Sequence, residues 1–253
     1  MITLSLDGDI AEIVLDAPER RNALTYEALG ALDAAYADAA ASGVRALLLR
    51  GEGRAFCAGR DIAGVDPASD DVPAYLGAVE GLMRRMAEFP APTFAAVQGA
   101  CLGVGLGLAI ATDVVYVADD AAVGSPFARI GAVLDSGGHA LLYERLGAHR
   151  ALDLIYTGEL LSGAEAVAAG LFSRAVPADE LLPFTRERVA RVAAGPTRAL
   201  VESRRLIGRL RDERLWAVLA DETAAQSALR DTADYREGFA AFQEKRRPDF
   251  TGR

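Results

Sequence analysis

The sequence predicts an α/β fold, and three observations lead to this class. Short apolar segments typical of buried strands alternate with longer segments whose apolar residues have helical spacing. These segments recur in the order strand, helix, strand, which is typical of a sheet covered by helices. Glycine-containing turns follow two of the predicted buried strands, within residues 55–62 and 99–107. The chain of 253 residues is long enough to bury a large core, as one large domain or two small ones.

The N-terminal quarter of the chain predicts a hairpin followed by a helix and a strand. Residues 2–6 and 10–15 are short β-prone segments, and Asp7-Gly8-Asp9 between them predicts a hairpin turn. Thr25 followed by Glu27 is typical of a helix N-terminus and predicts a helix to about residue 41. Residues 44–50 contain several apolar residues in a row, which predicts a strand that is buried on both of its faces.

The rest of the chain continues the alternation and then becomes helical. Residues 66–71 are acidic and flanked by prolines, which predicts a mobile loop before a helix over about 74–88. We expect further strands at 94–97, 113–118 and 121–124, an extended piece at 171–176, and helices at 103–110, 140–146, 151–156, 163–169, 182–193, 197–209, 215–229 and 232–245. We interpret 1–195 as a core domain and 196–253 as a helical region that packs on the core and on neighbouring subunits.

The composition argues against several classes of function. No apolar run approaches the ~20 residues that span a bilayer, and the first residues lack a basic segment followed by an apolar one, so we expect a soluble cytoplasmic protein without a membrane partner. A net charge of -9 argues against nucleic acid as a partner. Cys57 and Cys101, with only two histidines, give neither a disulfide framework nor zinc-ligand spacing. We therefore predict that the protein binds no metal and no permanent cofactor. We expect both cysteines to be packed in the interior.

The two glycine-containing turns predict a site for a negatively charged oxygen. In the segment 103–110, alternating glycines come directly before residues with helical spacing. Glycine lets another group approach the main chain, the first amides of a helix lack intrahelical acceptors, and the helix dipole favours negative charge there. The loop 55–62 could expose amides in the same way. The alternative is that both turns only permit tight packing.

One carboxylate, Asp135, lies in an apolar stretch between these turns and the helical part of the chain. Its neighbours in sequence include Val133 and Leu134, and burial among such residues would raise the pKa of the Asp135 carboxyl toward neutrality. We predict that Asp135 and the turn amides face one acyl group. The alternative is that Asp135 caps a helix that starts near Gly138.

Four segments together resemble one protein family, the crotonase superfamily, which contains the enoyl-CoA hydratases and isomerases. They are Asn22-Ala23-Leu24, residues 55–62, residues 96–113, and the tail 242–250. The resemblance covers essentially the whole chain. It implies a spiral of ββα repeats, a homotrimer or a dimer of trimers, and an acyl-coenzyme A thioester as substrate.

The resemblance also implies site residues. It places the thioester oxygen between the amides of Ala58 and Val104. Phe242 and Lys245 match tail residues that reach the CoA of a neighbouring subunit. Arg60 meets a CoA phosphate, pairs with an acid or is a solvated side chain. The residues implied to contact substrate or CoA are Arg20, Asn22, Ala58, Gly59, Arg60, Asp61, Ile62, Gly103, Phe127, Phe242 and Lys245.

The chain departs from the family hydratases at both of their catalytic glutamates. The matching positions hold Gly107 and Phe127, so efficient hydration is not expected. Asp135 instead resembles the aspartate of family isomerases, including dienoyl-CoA isomerase and ring-1,2-epoxyphenylacetyl-CoA isomerase. We predict an acyl-CoA isomerase that shifts a double bond or opens a strained ring, with Asp135 as proton shuttle. An atypical enoyl-CoA hydratase and a non-catalytic acyl-CoA-binding trimer are the alternatives. His139 orients Asp135, meets the substrate or packs at a subunit contact.

Overall fold

The computed structural model describes residues 1–253 and contains nine strands and eight α-helices. The strands are β1 (Ile2–Asp7), β2 (Ile10–Leu15), β3 (Ala46–Gly51), β4 (Thr93–Val97), β5 (Ala100–Leu102), β6 (Val114–Ala118), β7 (Ala122–Gly124), β8 (Leu161–Ser162) and β9 (Arg174–Val176). The helices are α1 (Tyr26–Ala41), α2 (Val72–Ala87), α3 (Val104–Ala111), α4 (Gly138–Thr157), α5 (Gly163–Ala168), α6 (Leu181–Ala193), α7 (Thr197–Leu229) and α8 (Ala233–Gln243). The α/β class predicted from the sequence is confirmed.

The strands form two sheets. The larger has the order β1-β2-β3-β4-β6-β9, in which only the β1–β2 hairpin is antiparallel. The smaller has the order β5-β7-β8, with β5 and β7 parallel. All five residues of β4, in the middle of the larger sheet, are buried, as expected for a parallel strand that is covered on both faces.

The chain visits the two sheets in turn, which produces the spiral. After β4 it contributes β5 to the smaller sheet and then α3, and after β6 it contributes β7 and then α4. Two single parallel bridges, Leu24↔Arg60 and Cys57↔Cys101, extend the smaller sheet in the same manner. As a result, the loops that follow β3, β5 and β7 lie side by side at one edge of the molecule.

Most element predictions are confirmed within a few residues. Thr25 caps α1 by accepting a hydrogen bond from the Ala28 N–H at 3.2 Å. The prediction of two helices within 197–229 is wrong, since α7 is continuous over 33 residues. Four of its buried residues, Val201, Gly208, Leu215 and Glu222, recur every seven positions. They lie on one face of α7, which is therefore buried at each of these positions although the residues between them are largely polar. No helix combines the length and the hydropathy needed to cross a membrane.

Candidate active site

A cavity of about 870 Å³ lies at the edge where the loops meet. The loop after β3, the N-terminus of α3, the segment around Asp135 and the C-terminal helix α8 all contribute to its wall. Of the residues predicted from the sequence, the cavity is lined by Arg20, Ala58, Gly59, Arg60, Asp61, Ile62, Gly103, Val104, Phe127, Asp135, Phe242 and Lys245. Asn22 is the exception.

The two glycine-containing turns contact each other at the base of this cavity. Gly59 has φ 99°, and a Cβ atom built there would lie 3.0 Å from the Leu102 carbonyl oxygen and 3.9 Å from the Gly103 Cα. Gly103 has φ 54° and directly precedes Val104, the first residue of α3. The Val104 N–H therefore has no acceptor within the helix and lies on the cavity wall. The glycines permit an approach that side chains would block.

The prediction that the Ala58 amide serves as the second donor is wrong. The Ala58 N–H already donates to the Arg21 carbonyl oxygen at 2.9 Å. On the same side of this segment, the Gly59 carbonyl and the Asp61 N–H bond to Leu24 at 2.8 and 2.9 Å. Backbone groups of an extended segment alternate in direction, so the Arg60 N–H between them points to the opposite side, and no acceptor in the protein receives it. Arg60, not Ala58, supplies the free amide beside Val104.

Asp135 is the buried carboxylate of the cavity, whereas Glu19 and Asp61 on the same wall are exposed or half-buried. Its residue is 8 % exposed, and its Oδ1 accepts a hydrogen bond from the Ser136 hydroxyl at 2.8 Å. The alternative role as a helix cap is excluded, because Gly137 is the N-cap of α4 and no side-chain cap bond is made there by Asp135. Only the Asp135 main-chain carbonyl takes part, accepting the Gly138 N–H at 3.0 Å. The carboxyl group is therefore not used as a cap, and Asp135 lies on the cavity wall.

The surroundings of Asp135 raise the pKa of its carboxyl to about 7. Burial is the largest cause, since it disfavours the charged form, and the Glu222 carboxylate adds to the increase. The Ser136 hydroxyl, Arg60 and His139 act in the opposite direction and are outweighed. A carboxyl group with a pKa near neutrality can both accept and return a proton at physiological pH.

We expect Asp135→Asn to unfold at a higher temperature than the wild type at pH 8. The folded-state pKa of about 7 exceeds the ordinary value of 3.8, so the unfolded chain ionises first as the pH rises. The wild type therefore loses stability between about pH 4 and 7, whereas asparagine does not ionise. The difference should be roughly 5 °C or more at pH 8 and should vanish near pH 4, as measured by circular dichroism. A difference that is independent of pH would contradict this account.

The structure leaves no room for a carboxylate at position 107. A Cβ atom built on Gly107 would lie 2.7 Å from the Ser136 Cβ and 3.1 Å from the Ser136 carbonyl oxygen. Gly107 follows Val104 by about one helical turn. The close packing of Ser136 on Gly107 therefore also holds the neighbouring Asp135 about one turn away from the Val104 amide. At the other hydratase position, the Phe127 ring packs 3.5 Å from a Cβ built on Gly103.

A buried carboxylate from α7, Glu222, holds the segment after Asp135 in place. Its two oxygens accept the Gly137 N–H at 2.7 Å and the His139 N–H at 3.0 Å, and Oε1 also lies 2.8 Å from the His139 Nδ1. Glu222 thus caps α4, a role that sequence spacing did not reveal because it lies 83 residues beyond His139. The His139 ring bonds to Glu222 and not to Asp135, so its predicted role in orienting Asp135 is wrong. A contact with substrate or with a neighbouring subunit stays a prediction.

Asn22 is a structural residue, so its prediction as a substrate contact is wrong. It is 1 % exposed, and its Oδ1 accepts the Ala17 N–H at 2.8 Å. Its Nδ2 donates to the Glu52 and Ala55 carbonyl oxygens at 2.9 and 2.7 Å. The two Nδ2 bonds join the loop after β2 to the loop after β3, which carries the amide of Arg60, and the Oδ1 bond closes the loop after β2 on itself.

We expect Asn22→Ala to destabilise the protein by roughly 2–4 kcal/mol, because it leaves buried main-chain groups without partners. Urea unfolding followed by fluorescence measures this difference. Asn22 has φ 57°, so Asn22→Gly is the matched control that keeps the backbone conformation favourable while losing the same bonds. If Asn22→Gly were as stable as the wild type, the hydrogen bonds would not carry the effect.

The charged residues around the cavity are partly engaged elsewhere. The Arg60 guanidinium binds both oxygens of Asp70 at 2.5 and 2.9 Å, which answers its alternatives in favour of an acid partner. Asp61 accepts the Ala63 N–H at 3.2 Å and so shapes its own loop. Phe242 and Lys245, matched to residues that reach a neighbouring subunit, line the cavity of their own chain.

Two tyrosines of the cavity wall, Tyr75 and Tyr235, were not predicted. They lie on α2 and α8, which are far apart in sequence. From the sequence alone, aromatic residues on amphipathic helices are expected to be ordinary core residues, so neither was assigned to the site. No group of three or more His, Cys, Asp or Glu side chains could hold a metal ion.

Known proteins are similar to this chain over nearly its whole length. The chain is 37% identical over 259 residues to a probable enoyl-CoA hydratase of Rhodobacter capsulatus, covering 100% of this chain and 98% of the relative. It is 35% identical over 256 residues to the 1,2-epoxyphenylacetyl-CoA isomerase of Escherichia coli, covering 98% and 97%. The crystal structure of an enoyl-CoA hydratase from Mycobacterium avium subsp. paratuberculosis matches with a TM-score of 0.91 at 31% identity, covering 99% of this chain and 98% of that one.

The family described as enoyl-CoA hydratase/isomerase matches residues 6–253, which is nearly the entire chain. Its fold, with a parallel sheet, a second small sheet and C-terminal helices, is that of the solved relatives. The resemblance found in the sequence is therefore confirmed, and the chain belongs to the enoyl-CoA hydratase/isomerase family of the crotonase superfamily.

Proposed function

We propose that this protein is an acyl-CoA isomerase that shifts a double bond or opens a strained ring beside a CoA thioester. The observation that carries the proposal is Asp135, the one buried carboxylate among the three on the cavity wall, together with the absence of carboxylates at positions 107 and 127. The contact between Ser136 and Gly107 supports the same conclusion, because it fills the space that a glutamate at 107 would need. A hydratase needs groups that hold and split water, whereas one carboxylate suffices to move a proton.

In the proposed reaction the Arg60 and Val104 amides receive the thioester oxygen. The Asp135 carboxylate removes a proton from a carbon activated by the thioester, and the electron pair of that C–H bond moves through the carbonyl to its oxygen. The resulting enolate is stabilised by the two amides, since preorganised donors act where the negative charge develops. Asp135 then returns the proton to a different carbon as the carbonyl re-forms. The product has the same composition as the substrate.

Enoyl-CoA hydratase is the second candidate, because relatives with that name are as similar as the one named an isomerase. Incubation with 3-hexenoyl-CoA and 2-hexenoyl-CoA in deuterated water separates the two. An isomerase interconverts these thioesters and incorporates deuterium into them, as seen by mass spectrometry. A hydratase yields 3-hydroxyhexanoyl-CoA instead, and a non-catalytic binder changes neither. Predominant hydration, or no reaction at all, would reject the isomerase proposal.

We also propose that the protein assembles into trimers or dimers of trimers. Leu206, Ile207 and Leu210 form an apolar surface on α7 with exposed fractions of 59%, 66% and 85%. Exposed apolar surface on a helix favours contact with another protein surface. Size-exclusion chromatography with light scattering gives the mass, and a monomer would reject this part of the proposal.

A further inference from the structure

One side-chain amide on the cavity wall, that of Gln226 on α7, has a donor that the protein does not use. Gln226 lines the cavity and is 6 % exposed. Its Oε1 accepts the Val133 N–H at 3.0 Å, and because a backbone N–H can only donate, this bond directs Oε1 to Val133 and Nε2 away from it. Nε2 donates to no acceptor in the protein, and it is not one of the enclosed polar atoms that lack a partner. Nε2 is therefore open to the cavity.

A second glutamine on the cavity wall, Gln243 on α8, shows the contrast. Its Nε2 donates to the carbonyl oxygens of Ile62 and Val65 at 3.2 and 2.8 Å. Both of its N–H groups thus hold the loop after β3. Gln226, in contrast, keeps its two N–H groups for a ligand.

The free donor of Gln226 lies beside Asp135. Val133, to which Gln226 is bonded, precedes Asp135 by two residues. Glu222, one turn earlier on α7, accepts the N–H of Gly137 at 2.7 Å, two residues after Asp135. The α7 helix is therefore bonded to the chain on both sides of Asp135. The Asp135 Oδ2 likewise has no partner in the protein and is not enclosed. A proton acceptor and a fixed neutral donor thus open to the same part of the cavity.

The surroundings decide which ligand group fits this donor. Leu229, three residues after Gln226 on the same side of α7, packs against an apolar cluster that contains Phe239, and Phe239 and Ile130 line the cavity. A carboxylate on the ligand would be repelled by the charged form of Asp135. A hydrocarbon would exclude water from the amide and offer no acceptor in its place. An uncharged oxygen on an otherwise apolar acyl group meets neither obstacle.

We propose that the Gln226 Nε2 binds an uncharged oxygen of the acyl group, next to the carbon from which Asp135 takes a proton, and that the preferred substrates are acyl-CoA thioesters with a strained oxygen-containing ring. This inference rests on the proposed isomerase function and selects ring opening over the plain double-bond shift. A shift within a hydrocarbon chain needs the carboxylate alone. Ring opening also benefits from a donor, because negative charge develops on the oxygen that separates from carbon.

The bond changes can be followed in a thioester whose oxygen bridges C3 and C4. Asp135 removes a proton from C2, and the enolate oxygen lies between the Arg60 and Val104 amides. As the carbonyl re-forms, the C2=C3 double bond forms and the C3–O bond breaks, while Gln226 donates to the oxygen that leaves C3. That oxygen then takes the proton from Asp135, which regenerates the carboxylate. The product, a 4-hydroxy-2-enoyl thioester, has the same composition as the substrate.

Two matched thioesters test the role of Gln226. The probes are 3,4-epoxyhexanoyl-CoA and 3-hexenoyl-CoA, which both yield a 2-enoyl thioester, so one absorbance assay follows both reactions and mass spectrometry identifies the products. Because both reactions need Asp135, the readout is the ratio of the two kcat/KM values. We expect a wild-type ratio of about ten or more in favour of the epoxide, and Gln226→Glu and Gln226→Met should each lower it roughly tenfold or more. Glutamate keeps an acceptor for the Val133 N–H, whereas methionine does not.

Ser227→Ala is the matched control. Ser227 is the next residue on α7, and its hydroxyl donates to the Thr223 carbonyl oxygen at 2.7 Å, away from the cavity wall. Its substitution should leave the ratio unchanged, and thermal melts confirm that each variant is folded. An unchanged ratio in both Gln226 variants would reject the inference. A loss confined to Gln226→Met would also reject it, because the Val133 bond and not the free donor would then carry the effect.

A failure of the isomerase proposal and a failure of this inference give different results. A wild type that shifts the double bond but does not open the epoxide would reject the inference alone. A wild type that turns over neither thioester would reject the isomerase proposal, and binding then decides on the oxygen subsite. In the Asp135→Asn protein, calorimetry should show 3,4-epoxyhexanoyl-CoA binding about threefold or more tightly than hexanoyl-CoA, and added Gln226→Met should abolish the difference. Equal affinities in the Asp135→Asn protein would reject the subsite.

Discussion

Asp135→Asn should lower the rate of proton exchange and double-bond migration by about 10²- to 10⁴-fold, the usual contribution of a positioned acid or base. Asparagine has nearly the shape of a protonated aspartate and can keep a hydrogen bond with Ser136, so the cavity should retain its form. It cannot accept a proton from carbon. The Kd for a saturated thioester such as hexanoyl-CoA should therefore change little while kcat falls. Exchange is followed by mass spectrometry in deuterated water, and binding by calorimetry.

Two further results would distinguish this role from a structural one. In the wild type, exchange should decline as the pH falls below about 7, because only the carboxylate form of Asp135 accepts a proton. Ser136→Ala removes the hydroxyl that donates to Asp135 but leaves the Asp135 carboxyl in place, so the loss of exchange rate should be much smaller. An Asp135→Asn protein with more than a tenth of the wild-type rate would reject Asp135 as the proton carrier.

The features of the site that lie close together in sequence could be predicted. A glycine-rich segment before a helix start predicted free amides there, since unpaired donors follow from helix geometry wherever a helix begins, and the family resemblance then implied Val104 among them. Asp135 could be identified because its immediate neighbours are apolar, and burial among them explains the direction of its pKa shift. These are properties of a few consecutive residues.

The features that depend on long-range pairing could not be predicted. Whether the amide of residue 58 or that of residue 60 is free depends on which side of the segment 58–61 bonds to Leu24. The spacing of residues in the sequence does not predict that side. Asn22 has the polar character of a ligand contact, yet its bonds reach residues 30 and 33 positions away or turn back within its own loop. Glu222 and Tyr235 reach the site only because α7 and α8 fold back over it.

Val104→Pro should reduce kcat/KM for isomerisation by at least about 10²- to 10³-fold, which is the usual loss when one oxyanion donor is removed. The substitution deletes the amide hydrogen, and the proline ring also occupies part of the space in front of it. The fold should tolerate the change for two reasons. Proline is favoured at the first position of a helix, where the N–H has no acceptor. A residue before proline prefers an extended conformation, and Gly103, with φ 54° and ψ -124°, adopts the mirror image of it. Glycine adopts an extended conformation and its mirror image equally well, so Gly103 can precede a proline without strain.

Val104→Ala is the matched control, because it shortens the same side chain and keeps the amide. The Val104 side chain is buried, so both variants lose or alter packing, but only proline loses the donor. Their melting temperatures should be comparable, whereas their kcat/KM values should differ by more than tenfold in favour of alanine. If both variants lost activity equally, the Val104 side chain and not its amide would be what the reaction needs. If Val104→Pro remained active, the thioester oxygen could not lie between the amides of Arg60 and Val104, and the proposed enolate would lose its stabilising site.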